Sequence, residues 1–402
     1  MRLDGSLPLE GLKVIDVSTM MAAPWAATYL ADFGAEVIKV EHPQFGDHVR
    51  RFGAQKDGIS LFWKTISRNK KSITLDLSTP QGQELFKRLV RDCDVLIENF
   101  RPGTLERWKI GWEELSAINS RLIMLRTTGF GQTGPYARRA GFGTVAEAMS
   151  GFAYITGHPD GPPTLPSIPL ADGVCSVFGA LSVMIAVYER DVRGSGKGQY
   201  IDICLYEPLF RFLESQVVEY DQLGIVHQRL GNRTAEAAPR NAYVTRDGKW
   251  VALSASAQPI AERVFKAIGR EELISDERFK DNASRLKHSD ELDEIIGSWI
   301  ANHGLEEVLE TFEAAGAVVG PVYNMEQIFE DPHFKERGTI IEVADPDFGR
   351  IRMPNVVARF SRTPGEIKHP GPRKGEHNQE IFGERLGLSP AQVEELKRQG
   401  VI

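Results

Sequence analysis

Short apolar runs alternate with amphipathic stretches through the first half of the chain. Residues 12–17, 35–41, 72–77, 94–98 and 122–126 are rich in Val, Ile and Leu and read as strands. Residues 24–33 and 79–92 read as helices, each with a proline in its opening turn. This alternation predicts an α/β fold, a Rossmann-like doubly wound parallel sheet with helices on both faces and right-handed crossovers. In open sheets of this kind, ligands gather beyond the carboxyl ends of the strands. The segments to inspect are therefore 18–21, 41–43, 98–100 and 127–129.

Residues 173–188 form the longest charge-free apolar run, and Asp172 stands at its head. Apolar groups fall on every face of that run, which predicts a buried helix. Residues 199–204 read as another strand, followed by a long helical connection to about His227. From Arg240 the texture changes. Two strand-like runs flank Asp247-Gly248, a hairpin signal. Charged amphipathic helices follow at 259–268, 289–302 and 305–315. This part reads as a second, smaller α+β domain. Pro370-Gly371-Pro372 marks a further boundary. Ser389 and Gln392 frame a capping box that opens the last helix, and Gly400 ends it.

At 402 residues the chain is longer than one hydrophobic core usually serves, so two domains are expected. It is 42% hydrophobic and 26% charged with a net charge of -7, the balance of a folded globular protein rather than a disordered one. No basic stripe suits nucleic acid or an anionic membrane. Cys93, Cys175 and Cys204 are too scattered for a metal site or a disulfide framework and read as small core residues. Residues 1–11 hold no signal-peptide core. Ser176, Gly179 and Ser182 interrupt the long apolar run, so no membrane span is expected and the cytoplasm is the expected compartment.

A carboxylate at the mouth of an apolar helix can simply be its N-cap. It can also be a nucleophile that forms an acyl intermediate, its ionised form favoured by the helix N-terminus. Other chemistries find little support. Gly129-Phe130-Gly131-Gln132-Thr133-Gly134 matches a dinucleotide pattern, but Pro135 follows and no helix opens, so a tight loop is the better reading. The nine histidines form no metal pattern, and no serine nucleophile elbow is present. Cations gather near the strand ends: Arg50, Arg51, Arg68, Lys70 and Lys71, then Arg101 and Arg107, then Arg138 and Arg139. Solvation is the default for any one of them. As a set they suit a phosphorylated ligand.

Five stretches resemble the class III coenzyme A-transferases, the formyl-CoA transferase and carnitine CoA-transferase group of CaiB-BaiF type. They are residues 9–16, 30–41, 69–76, 94–103 and Leu170-Ala171-Asp172-Gly173. The tail at 370–372 and 375–378 also fits. The resemblance implies that Asp172 is the catalytic nucleophile, passing through an aspartyl anhydride and an aspartyl-CoA thioester. It implies that Met20, Met21, His42, Leu75, Asn99, Phe100, Arg107 and Arg139 contact CoA. Acyl-CoA and a small carboxylic acid would be the substrates, CoA being a substrate rather than a bound cofactor, with no metal. It further implies a homodimer of interlinked rings. The large domain would comprise residues 1–205 and, after a return linker, the C-terminal part of 331–402. A linker at 206–230 would lead to the small domain at 231–330.

Two departures bear on the acceptor. Gly143 stands where the formyl-CoA enzymes carry a glutamate, and Glu147 lies one turn on. No glycine run appears between Leu230 and Val251. Both argue against formate. Residues 142–150 resemble members that use succinyl-CoA and small dicarboxylates. Arg138, Arg233 and Arg240 are the candidates for a distal carboxylate. The 2-methylacyl-CoA racemases share the aspartate but need a histidine in the stretch that here reads Ala140-Gly141-Phe142-Gly143, and phenylalanine moves no proton. A catalytically inactive CoA-binding protein is the remaining rival.

Overall fold

A computed structural model describes residues 7–402. The reading of residues 1–11 falls partly outside them. By contact density the chain divides into two units. One runs up to Phe152, then over Leu165–Gln222 and Gly338–Ile402. The other comprises Ala153–Thr164 and Leu223–Arg337.

The first unit is built on six parallel strands: β1 (Lys13–Asp16), β2 (Glu36–Glu41), β3 (Lys70–Thr74), β4 (Val95–Glu98), β5 (Ile123–Thr128) and β6 (Tyr200–Cys204). Their order is β3-β2-β1-β4-β5-β6. The order reverses at β1, which lies between β2 and β4, with Ile15 beside Ile38 and Leu96. That reversal opens a crevice at the strand ends.

Side chains alternate across the sheet, so each face has its own cover. Val14, Val37, Ile97 and Leu125 meet α1 (Ala22–Asp32) and α4 (Leu170–Val187). Small residues bring these helices close. A Cβ on Gly179 would stand 3.1 Å from Leu125 Cδ2 and 3.5 Å from Ala26 Cβ. On the other face Ile15, Ile38, Leu96 and Met124 pack with Phe86 of α2 (Pro80–Val90) and with Phe382, Val393 and Ile402 of the tail. The tail ends in α8 (Pro390–Arg398), opened by the expected Ser389–Gln392 capping box. It is tied to β3 through His377 N–H to Ser72 O at 2.9 Å and Asn378 Oδ1 to Thr74 N–H at 2.9 Å.

Three sequence expectations change here. The long apolar helix is only half buried. Val177, Leu181, Ile185, Tyr188 and Val192 are each more than half exposed, and their spacing forms one stripe. Together with a π-helical extension, this helix also runs 23 residues, Leu170–Val192. By length and composition it could cross a membrane, contrary to the expectation that no run would qualify. Here its inner face packs on α1 and β5. Third, the strand expected at 72–77 begins earlier, at Lys70, because that lysine is drawn into the interior.

The interior pull is electrostatic. Asp16, Lys39, Asp47 and Lys70 are all 2% exposed or less. Lys70 Nζ lies 3.0 Å from Asp16 Oδ2, and Lys39 Nζ lies 2.9 Å from Asp47 Oδ2. Burial and the Lys39 charge, against the pull of Asp16, bring the Lys70 pKa down to about 8. The network holds the loop after β1. Asp16 accepts the Ser18 N–H at 3.0 Å, Lys39 donates to Ser18 O, and Asp47 accepts the Met20 N–H at 3.2 Å. Met20 is thereby kept at φ 67°, a left-handed conformation that costs a side-chain-bearing residue on the order of 1 kcal/mol.

The second unit contains the antiparallel sheet β9-β8-β7, made of β7 (Arg240–Val244), β8 (Trp250–Ser254) and β9 (Val319–Pro321). The expected hairpin turn is present, with Gly248 at φ 73°. Behind the sheet lie α5 (Gln258–Ala267), α6 (Ser289–Ala301) and α7 (Leu305–Ala314), which bury Phe265, Ile296, Ile300 and Phe312 with Val251. Strand β9 carries no alternating pattern and was not read from sequence. Nor was the hairpin β10 (Ile340–Asp345) and β11 (Gly349–Pro354), which belongs to the first unit.

Removing one member of a buried ion network strands the others. Asp16→Ala is expected to cost about 3–5 kcal/mol, by leaving Lys39 and Lys70 without their shared carboxylate. Urea unfolding measures this, and a loss under about 1 kcal/mol would contradict the role given to the network.

Candidate active site

Two cavities lie at the carboxyl ends of the strands in the first unit. One, of about 470 Å³, is lined by His42, Phe45, Leu75, Phe100 and Trp108 among others. His42 stacks on Phe45 with ring centres 4.7 Å apart. The other, of about 220 Å³, holds Asp172 with Met20, Met21, Asn99, Phe100 and Arg139 in its lining. Both cavities include Thr19 and Phe100. Seven of the eight residues expected to contact CoA therefore surround two adjoining cavities that lead to Asp172. Arg107 lines neither. It is exposed beside Trp108 and donates to Thr104 Oγ1 at 3.1 Å.

The cations divide by partner. Arg50 pairs with Glu41, Arg68 with Asp32, Lys70 with Asp16, and Lys71 with Glu36 and Glu380. These hold the fold together, so the expectation that the whole set serves a phosphorylated ligand is too broad. Arg101 and Arg139 line the Asp172 cavity and have no ion-pair partner among the described residues. Arg139 lies over the Tyr136 ring at 3.7 Å. Arg233 is clamped by Asp290 and Asp293, both at 2.6 Å, and Arg240 is bonded to two backbone carbonyls, so neither is a ready cation. Arg138 is exposed and lines neither cavity.

Asp172 is not the N-cap. Helix α4 begins two residues earlier and Pro169 holds the cap position without a side-chain bond. Asp172 is thus the third helical residue. Its carboxylate accepts the Ala22 N–H and its own N–H, which favour the charged form. Burial and the charge of Glu147 act the other way and win, pushing the pKa up to about 6. The backbone N–H contribution expected from sequence is present, and burial with Glu147 outweighs it. Glu147 sits on α3 (Gly143–Met149), is 3% exposed and accepts the Ala171 N–H at 3.2 Å. Sequence registered it only by position.

Glycine beside the carboxylate gives it the place it occupies here. A Cβ at Gly143 would stand 2.1 Å from Asp172 Oδ2. Any side chain there would displace the carboxylate, so the departure seen at Gly143 shapes the site. Gly129 and Gly141 meet in a similar way, a Cβ at Gly129 falling 2.7 Å from the Gly141 Cα. That contact explains the glycine-rich loop without a dinucleotide. The lining also includes Thr128, whose Oγ1 is buried without a hydrogen-bond partner, a feature sequence gave no sign of. Among the described residues no histidine, lysine or second carboxylate lines this cavity. Among the described residues no three His, Cys, Asp or Glu side chains form a metal cluster. Cys175 and Cys204 are buried, and burial raises both thiols, Cys204 to about 12.

An Asp titrating near 6 rather than 3.8 holds its proton more tightly in the folded chain than in the unfolded one. Its ionisation therefore lowers stability progressively as pH rises from about 4 to about 6, and the full penalty persists above that. The penalty is at most about 3 kcal/mol, and less for a group partly open to solvent. Asp172→Asn should accordingly stabilise the protein at pH 8 by about 1–3 kcal/mol, with the gain fading toward pH 4. Urea unfolding at both pH values tests this; an equal effect at the two would contradict it.

Residues 9–378 match the model of CoA-transferase family III. The chain is 45% identical to the succinyl-CoA–D-citramalate CoA-transferase of Chloroflexus aurantiacus, covering 98% of each chain. It is 44% identical to the β subunit of that organism's succinyl-CoA–L-malate CoA-transferase, covering 100% of each. It is 33% identical to the human succinyl-CoA:glutarate CoA-transferase, over 98% of this chain and 90% of that one. The crystal structure of a CaiB/BaiF family protein from Brucella suis superposes with a TM-score of 0.83 at 33% identity, covering 94% of this chain and 99% of that one. The chain therefore belongs to CoA-transferase family III, enzymes whose substrates are CoA thioesters.

Proposed function

We propose that this enzyme moves CoA from succinyl-CoA to a small dicarboxylic acid, with Asp172 carrying the acyl group and then the CoA. The observation that carries the reading is a lone, partly desolvated carboxylate at the end of a cavity with two unpaired arginines. Relatives named for citramalate, malate and glutarate support the donor and the acceptor class.

The Asp172 oxygen attacks the thioester carbonyl, the carbon–sulfur bond breaks, and CoA leaves as thiolate. The product is a mixed anhydride of Asp172 and succinate. The thiolate then attacks the aspartyl carbonyl and expels succinate, leaving an aspartyl-CoA thioester. The acceptor carboxylate attacks that carbonyl, releasing thiolate again, and the thiolate takes the acyl group of the new anhydride. Asp172 is restored. No net proton moves, which agrees with a lining that has no second acid or base. A racemase would need one. The Ala22 N–H, already bonded to the carboxylate, can stabilise the oxyanion formed at the aspartyl carbon.

Pocket chemistry suggests how CoA lies. Its adenine fits between His42, Phe45 and Leu75, the pantetheine arm passes Thr19 and Phe100, and the thioester reaches Asp172. Arg107 on the rim and Arg101 and Arg139 inside meet the phosphates, one of the inner pair remaining for the distal carboxylate.

We also read the active form as a homodimer of interlinked chains. The exposed apolar stripe of α4, with Phe212, Val218 and Tyr220 nearby in sequence also exposed, supports this reading, because grouped exposed apolar residues mark interaction surfaces.

Two outcomes test the reading. Protein incubated with succinyl-CoA and then borohydride or hydroxylamine should be inactivated and modified on the Asp172 peptide, and Asp172→Ala should abolish exchange while binding CoA within about threefold of wild type. Modification at another residue, or turnover by Asp172→Ala, would overturn it. For the dimer, Leu181→Glu with Ile185→Glu should yield monomers or unfolded protein by sedimentation, and an unchanged dimer would exclude this stripe from the interface.

A further inference from the structure

Glu147 stands behind the cavity wall rather than in it. Its carboxylate belongs to α3, yet it bonds to the backbone of α4, at the residue immediately before Asp172. The opening N–H groups of a helix have no carbonyl within that helix to accept them. In α4 each has a different solution. Leu170 N–H goes to Ile168 O at 2.7 Å, Gly173 N–H to Pro169 O at 3.0 Å, and Asp172 N–H to its own carboxylate. Of these, Ala171 N–H alone depends on a side chain from another helix, 24 positions away. Pro169 at the cap position can offer nothing in its place.

We propose that Glu147 is a positioning residue for the nucleophile: it fixes the first turn of α4 so that Asp172 faces the cavity, and its charge keeps the Asp172 carboxylate reactive. This rests on the reading of Asp172 as the nucleophile. Groups packed around Asp172 from every neighbouring element are few. They are Glu147 from α3, Cys175 from α4 itself, which in turn meets Cys204 at the end of β6 and Glu207 just beyond it, and Arg101 and Arg139 in the lining of the same cavity. Among these, Glu147 supplies the charge that raises the Asp172 proton affinity. A more basic carboxylate is a stronger nucleophile, provided it remains ionised at the working pH. Near 6 it satisfies both conditions.

Glu147→Gln separates the two effects. The amide oxygen can still accept the Ala171 N–H, but the charge is gone. Glu147→Ala removes both. Exchange between succinyl-CoA and a dicarboxylate is measured as kcat and kcat/KM from pH 5 to 9, together with Kd for CoA and Tm. The Gln enzyme should fold and bind CoA as wild type does. Its acid limb should move down by about half a pH unit or more, with a plateau kcat about 3- to 10-fold lower. The Ala enzyme should lose more than about tenfold in kcat at every pH, with the Gln enzyme retaining more activity than Ala. An acid limb unmoved in the Gln enzyme overturns the proposal, as does full kcat in a folded Ala enzyme. Should the Ala enzyme fail to fold, the Gln profile decides by itself. If wild-type protein is not acylated at Asp172, the underlying reading fails; if it is acylated and the limb stays in place, only the assignment of Glu147 fails.

Discussion

In the mechanism proposed above, Asp172 has to be charged and poorly hydrated at once. A carboxylate in water is a weak nucleophile because its hydration shell must be stripped before it reacts. A carboxylate buried without partners protonates instead. The site lies between these limits. Two N–H bonds hold the charge, burial and Glu147 oppose it, and the balance falls near pH 6. At pH 7.5 such a group is still about nine-tenths or more ionised. The absence of a side chain at Gly143 gives the carboxylate the space it occupies.

The fold delivers this balance through the loop after β1. The buried Asp16, Lys39, Lys70 and Asp47 hold Ser18 and Met20, and Asn99 holds Thr19 from the next strand with Oδ1 accepting its N–H at 2.9 Å. Ala22 follows directly and meets Asp172. Charge far from the chemistry thus sets the position of a backbone donor at the chemistry. The unpaired arginines contribute differently. Arg101 and Arg139 give a locally cationic cavity within a chain of net charge -7, which suits the anionic substrates of the proposed reaction.

The sheet was legible because strand runs and proline-started helices follow strict local rules, and their boundaries shifted by only a few residues. Asp172 was legible through the apolar run it precedes and the resemblance around it. What sequence missed was set by tertiary contact. Lys70 and Arg68 read as ligand-binding cations until Asp16 and Asp32 were seen beside them. The stripe on α4 read as core because an apolar residue has the same pattern whether it meets its own chain or faces outward. The upward shift of Asp172 comes first from burial and then from Glu147, which is distant in sequence and close in space. Strand β9 lacks alternation because it is short and only partly buried.

The central claim is the proton affinity of one carboxyl group. Protein labelled with ¹³C at the aspartate carboxyl carbons, with the Asp172 signal assigned by its loss in Asp172→Asn, can be titrated by NMR. The account predicts a midpoint near pH 6 for that resonance. A midpoint at or below the ordinary aspartate value would mean that the carboxylate is well solvated or strongly paired, and would contradict the account.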